Sequence, residues 1–184
     1  MSENPSREER IRAIKNLFHY LMWVATRRFT QLLQPFGLTL AQFFVMAVLV
    51  ARKQPCTMHD LTNITFQDPP TMTGIVDRLV KMGLVRRARS ETDRRVVLVE
   101  TTPVGLDLLK QVNEKIMQDA EAGYATLTDD DLDNFEQLLR YKIRTHIGRF
   151  KSLQDDELDA EIEKLHNLAT DPMHYAKLEN EKSL

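Results

Sequence analysis

The stretch DPPTMTGIVDRLVKMGLVRRARSETDRRVVLVETT, residues 68–102, changes its hydrophobic period partway along. Up to Met82 the apolar residues Met72, Ile75, Val76, Leu79 and Val80 recur at helical spacing. Asp68 followed by Pro69 is a helix start signal: an Asp side chain accepts the free N–H groups of the first turn, and a proline there gives up nothing. Gly83 supplies the left-handed conformation that ends a helix. Beyond it, residues 84–87 and 96–99 are short strand-like runs around a polar tip, residues 89–95. That pattern predicts a β-hairpin whose loop is longer than two residues.

Working upstream, Thr57 can cap a short helix over residues 57–64. Two short helices joined by a turn and followed by a hairpin make a winged helix-turn-helix. Residues 7–34 carry Ile11, Ile14, Leu17, Phe18, Leu21, Met22 and Leu32 at helical spacing, and Pro35 and Gly37 stop that helix. Thr39 can cap a second helix, ended by Pro55, whose residues are apolar nearly all round and therefore belong in a core. Downstream, Thr102-Pro103 caps a long helix to about Ala125, and Thr128 with Asp131 resembles a capping box. Leu132, Phe135, Leu138, Leu139 and Ile143 stripe the helix that follows, and Leu158, Ile162 and Leu165 suggest a last one. The expected fold is mainly α with a small β-hairpin wing. Its domains are a helical region from residues 1–38 and 103–150, a winged head over 39–102, and a helical extension over 151–184.

An α-helix fits the major groove of B-DNA and reaches base edges with its exposed side chains. On the helix after Asp68 the outward face carries Pro70, Thr71, Thr73, Gly74, Asp77, Arg78 and Lys81. Gly74 and the prolines allow close approach, and Thr71 and Thr73 can contact thymine methyls or donate a hydrogen bond. Arg78 and Lys81 are placed for phosphates. At the hairpin, Arg94 or Arg95 can enter a narrow, A·T-rich minor groove while Arg86, Arg87 and Arg89 meet phosphates. Asp93 is expected to form a local ion pair that fixes an arginine and the loop shape.

The net charge of the 184-residue chain is −2, which argues against a generally basic nucleic-acid binder. Its distribution argues the other way, because DNA binding needs only a basic face. Positive residues concentrate over residues 78–95, and acids concentrate beyond Lys151, at Asp155, Asp156, Glu157, Asp159, Glu161 and Glu163. The single cysteine, Cys56, excludes an internal disulfide and a cysteine-rich zinc cage. The five histidines lack paired metal-ligand spacing, so no metal or other cofactor is expected. No set of nucleophile, base and oxyanion donors is visible, which argues against an enzyme. No apolar run approaches the roughly 20 residues a membrane span needs, and the polar N-terminus lacks an export pattern. A cytoplasmic location without a membrane partner is expected.

The run from Asp68 to Val85, with Asp93-Arg-Arg-Val-Val-Leu-Val and Thr102-Pro-Val-Gly, resembles the MarR family of bacterial and archaeal regulators. The likeness extends from the first helix to the helix starting near Leu132. It implies a two-fold homodimer, joined through the first and last helices, with two winged heads on double-stranded, pseudo-palindromic operator DNA, most often as a repressor. By that likeness Pro70, Thr71, Thr73 and Gly74 fall where the family reads bases, Arg94 at the wing-tip arginine and Asp93 at the acid that steadies it. The chain departs from the family at Gly74, where a long basic residue is commonest, and in the turn, where Thr65 and Gln67 replace apolar residues. The likeness also implies release from DNA by a small aromatic or phenolic effector, for which Phe18, Met22, Trp23, Phe43, Phe44, Met46 and His59 are candidate lining. Two alternatives stand beside this reading. One is a winged-helix protein-interaction module. The other is a redox-responsive regulator using Cys56, whose pKa a following helix N-terminus would lower, although a packed thiol is the expected role.

Overall fold

The computed structural model describes residues 5–52, 54–65, 67–90, 93 and 95–151. In chain order the elements are α1 (Arg7–Leu33), a 3-10 turn (Gln34–Phe36), α2 (Leu40–Arg52), β1 (Cys56–Thr57), α3 (Met58–Thr65), α4 (Pro69–Lys81), β2 (Val85–Arg89), β3 (Val97–Thr101), α5 (Pro103–Tyr124) and α6 (Asp129–Lys151). This is the mainly helical chain with a hairpin wing that the sequence predicts. The helix expected around Leu158 to Leu165, and the extension beyond Lys151, lie outside the described residues. Among the described residues no single helix is long and apolar enough to cross a membrane.

The chain divides into two units, one through Leu40 and one from Ala41. In the first, α1 begins with a capping box. The Glu9 N–H donates to the Ser6 hydroxyl at 3.3 Å, and the Ser6 N–H donates to the Glu9 carboxylate at 2.7 Å. Gly37, at φ 67°, turns the chain after the 3-10 segment. The apolar stripe of α1 is exposed over Ile11, Ile14, Leu17 and Leu21.

In the second unit, α2 buries Phe43 and every residue from Val45 to Val50, as its all-round apolarity requires, while Phe44 is exposed. The helix α3 starts at a second capping box: the Asp60 N–H donates to the Thr57 hydroxyl at 3.1 Å, and the Thr57 N–H donates to the Asp60 carboxylate at 3.1 Å. Thr57 thus caps as expected, but it also belongs to β1, which the sequence reading lacks. β1 pairs antiparallel with β3 through Cys56↔Val99 and Thr57↔Leu98, giving a three-stranded sheet of order β1-β3-β2. Two residues are too short to show a period, so only the partner strand reveals this one.

Asp68 caps α4, accepting the Thr71 N–H at 2.9 Å. Met72, Ile75, Val76 and Leu79 are buried in the core with Leu61, Val85 and Val99. Val80, expected in the inner stripe, is 36% exposed, because it lies at the edge of the buried face. The C-terminus of α4 is a Schellman motif: the Gly83 N–H donates to Val80 O (2.9 Å) and the Leu84 N–H to Leu79 O (3.0 Å), with Gly83 at φ 72°. Buried Leu84 and Leu79 supply its apolar contact. The same turn anchors α5. The Thr102 hydroxyl donates to Gly83 O at 2.7 Å and accepts the Gly105 N–H at 3.1 Å. A Cβ built on Gly105 would overlap Leu84 O, so only glycine lets α5 start this close to the turn. The expected capping box at Thr128 and Asp131 starts α6. On α6, Leu132, Leu138, Leu139 and Ile143 are exposed.

Candidate nucleic-acid interface

The exposed face of α4 presents Pro70, Thr71, Thr73, Arg78 and Lys81, with Gly74 and Asp77 partly exposed. Its first turn is tightly organised. The Asp68 carboxylate takes both the backbone N–H and the hydroxyl of Thr71, the latter at 2.8 Å. These two bonds, the backbone one foremost, hold the carboxyl below the usual Asp range. One turn on, the Thr73 hydroxyl donates to Pro69 O at 2.9 Å. A Cβ on Gly74 would meet nothing within 4 Å, and its φ is not positive, so neither space nor backbone requires glycine there.

The wing sits beside this helix, and two of its arginines are engaged within the chain. Arg87 donates to the Asp77 carboxylate of α4 at 2.6 Å, tying β2 to the helix. Arg86 donates to Glu100, its register partner on β3, at 2.7 Å. The sequence reading places both arginines toward phosphates and gives Asp77 no role. A pairing between residues ten apart, across a change from helix to strand, follows neither period and is not legible beforehand. Arg89 and Arg95 are exposed.

At the tip, the Ser90 N–H donates to Val96 O at 3.1 Å and the Val96 N–H to Asp93 O at 2.9 Å. The Asp93 carboxylate accepts the Arg95 backbone N–H at 2.9 Å. Asp93 therefore orders the loop through a backbone N–H. Arg94 lies outside the described residues.

The candidate effector lining is dispersed in character. In the first unit Met22 and Trp23 are exposed, Phe18 is partly so, and the Trp23 ring lies 5.9 Å from that of Tyr20. In the second, Phe43 and Met46 are buried while Phe44 is exposed, its ring edge-on to Phe43 at 5.7 Å. His59 is exposed on α3, its Nε2 3.0 Å from Asn63 Nδ2. Cys56 is 1% exposed, and burial pushes its thiol above the usual range. Desolvation outweighs the lowering by the nearby Arg52 guanidinium, so the thiol is raised where a lowering was the expectation.

Comparison with known proteins places this geometry. A family model described as the MarR family matches residues 36–96. The multiple antibiotic resistance protein MarR of Escherichia coli (strain K12) is 31% identical over 126 residues, covering 67% of this chain and 86% of that protein. Among solved structures, a MarR family protein from Bacillus stearothermophilus is similar at a TM-score of 0.67 and 25% identity, covering 78% of this chain and 99% of the other. A mutant MarR from E. coli complexed with operator DNA is similar at a TM-score of 0.62 and 27% identity, covering 76% and 99%.

Proposed function

The chain belongs to the MarR family of transcriptional regulators, and on that premise we propose that it represses its target genes as a homodimer bound to a pseudo-palindromic operator. The observation that carries the reading is the pairing of a small-residue helix face, Pro70 to Gly74, with exposed arginines on an adjoining wing. A structural relative of this architecture is complexed with operator DNA. The α4 helices of the two subunits enter successive major grooves, with half-site centres about one helical turn apart. Arg78 and Lys81 meet phosphates beside the groove. Arg89 and Arg95 reach along the backbone, and Arg94 or Arg95, by the sequence expectation, reaches into the adjacent minor groove. Arg86 and Arg87 contribute by holding the wing against β3 and α4.

Exposed apolar stripes on α1 and α6 support the dimer, since a solitary subunit would leave them in water. Operator occupancy excludes polymerase, and a small aromatic acid that prefers a DNA-incompetent head spacing relieves it. This chemistry takes place in the cytoplasm, with the DNA.

The test is duplex binding by fluorescence anisotropy as a function of salt. Affinity should fall linearly on a log–log plot, and Arg78→Ala should reduce the slope by about 1. Absence of binding to any duplex at low salt overturns the reading in favour of a protein-docking module. A panel of phenolic acids that changes neither operator affinity nor melting temperature removes the effector step.

A further inference from the structure

On the operator-binding reading above, we infer that the first half of α4 reads thymine methyl groups through carbon contacts, with Thr71 and Thr73 acting through their own methyls and not as hydrogen-bond donors. A threonine hydroxyl has one hydrogen to give. At Thr71 it goes to the Asp68 carboxylate at 2.8 Å, and at Thr73 to Pro69 O at 2.9 Å. Neither acceptor carries a hydrogen of its own, since the carbonyl has none and the carboxylate is ionised at neutral pH. Both donors are therefore committed within the helix, and each side chain has a methyl and oxygen lone pairs left to offer. Pro70 adds ring carbons and no N–H. Gly74 adds nothing at all, in a position where a Cβ would meet nothing within 4 Å.

An interior glycine weakens a helix, and no backbone angle or close neighbour asks for this one. What it provides is a shallow place on the partly exposed face, next along the chain from Thr73. The combined surface offers carbon and oxygen lone pairs but no donor hydrogens. In the major groove every base pair presents acceptors that such a face leaves unpaired, and only thymine adds a methyl that carbon can cover. The half-site base pairs under Pro70, Thr71, Thr73 and Gly74 are accordingly A·T pairs with the thymine methyl turned to the helix.

The experiment begins with a duplex selected from a random-sequence pool by the full chain. Each thymine of the selected half-site is then replaced by deoxyuridine, which removes the methyl and keeps the pairing. Affinity should fall about fourfold for each contacted methyl, and not at thymines outside the half-site. Thr73→Val, which keeps methyl groups and removes the oxygen, should bind the selected duplex within about twofold of the parent, and Thr73→Ser should lose about fourfold. Circular dichroism melting confirms that both variants fold. If the pool yields no enriched sequence, the operator-binding reading falls and this inference with it. If sequences are enriched but deoxyuridine has no effect, or Thr73→Ser binds normally while Thr73→Val does not, operator binding stands and methyl reading is overturned.

Discussion

Gly74 and Gly105 both lie inside helices, and the structure gives them opposite reasons. Gly105 faces the Leu84 carbonyl so closely that a methyl group would overlap it. Gly105→Ala should therefore destabilise the fold by about 1–3 kcal/mol in urea unfolding, the cost of forcing atoms into a packed junction. Gly74→Ala faces open space and should raise stability by up to about 1 kcal/mol, the ordinary helix preference for alanine. A loss of stability at Gly74 would contradict the open geometry there. The ion pair between Arg87 and Asp77 is well aligned but partly solvated on both sides, so it contributes about 0–1 kcal/mol at most. Its use is to orient the wing. Of these features the sequence displayed the glycines but not their neighbours. The Leu84 carbonyl comes under Gly105 only after β2 and β3 have paired and returned the chain to the same turn.

At the scale of elements, α4 is framed by signals that act within a few residues, and these were legible. Asp68 and Pro69 open it, Gly83 closes it, and Thr102 with Pro103 opens α5 beside that closure. The Asp68 cap also has a pH signature. Its bonds to Thr71 place the folded-state pKa below that of the unfolded chain. The stabilisation is then present above the ordinary Asp pKa, about 3.9, and is lost as pH falls through the folded value. Asp68→Asn, which caps without titrating, should remove this component. Parent and variant stability should run parallel from pH 5 to 7 and converge or cross only in stronger acid. Parallel curves down to pH 2 would show that the carboxylate does not favour the folded state. β1 was not legible, because its two residues become a strand only by pairing with Val99 and Leu98.

For the whole molecule, the apolar residues left in water on α1 and α6 are the observation behind the proposed homodimer. Leu17→Glu together with Leu21→Glu places charge on the α1 stripe. In sedimentation velocity this variant should run as a monomer, with the far-ultraviolet spectrum of the head retained and operator affinity much reduced. An unchanged sedimentation coefficient would count against the proposed dimer contact through α1. The sequence by itself determined the order of helices, the caps that bound them, the hairpin and the concentration of arginine on it. Period, capping chemistry and charge all act over a few residues and can be read along the chain. Only the tertiary structure decided that Arg86 and Arg87 are bound to Glu100 and Asp77, and that Asp93 holds a backbone N–H. It also decided that Thr71 and Thr73 have spent their donors inside α4. Each of these depends on which acceptor lies within about 3 Å once the backbone is in place, and hydrogen-bond geometry at that range is a property of folded coordinates.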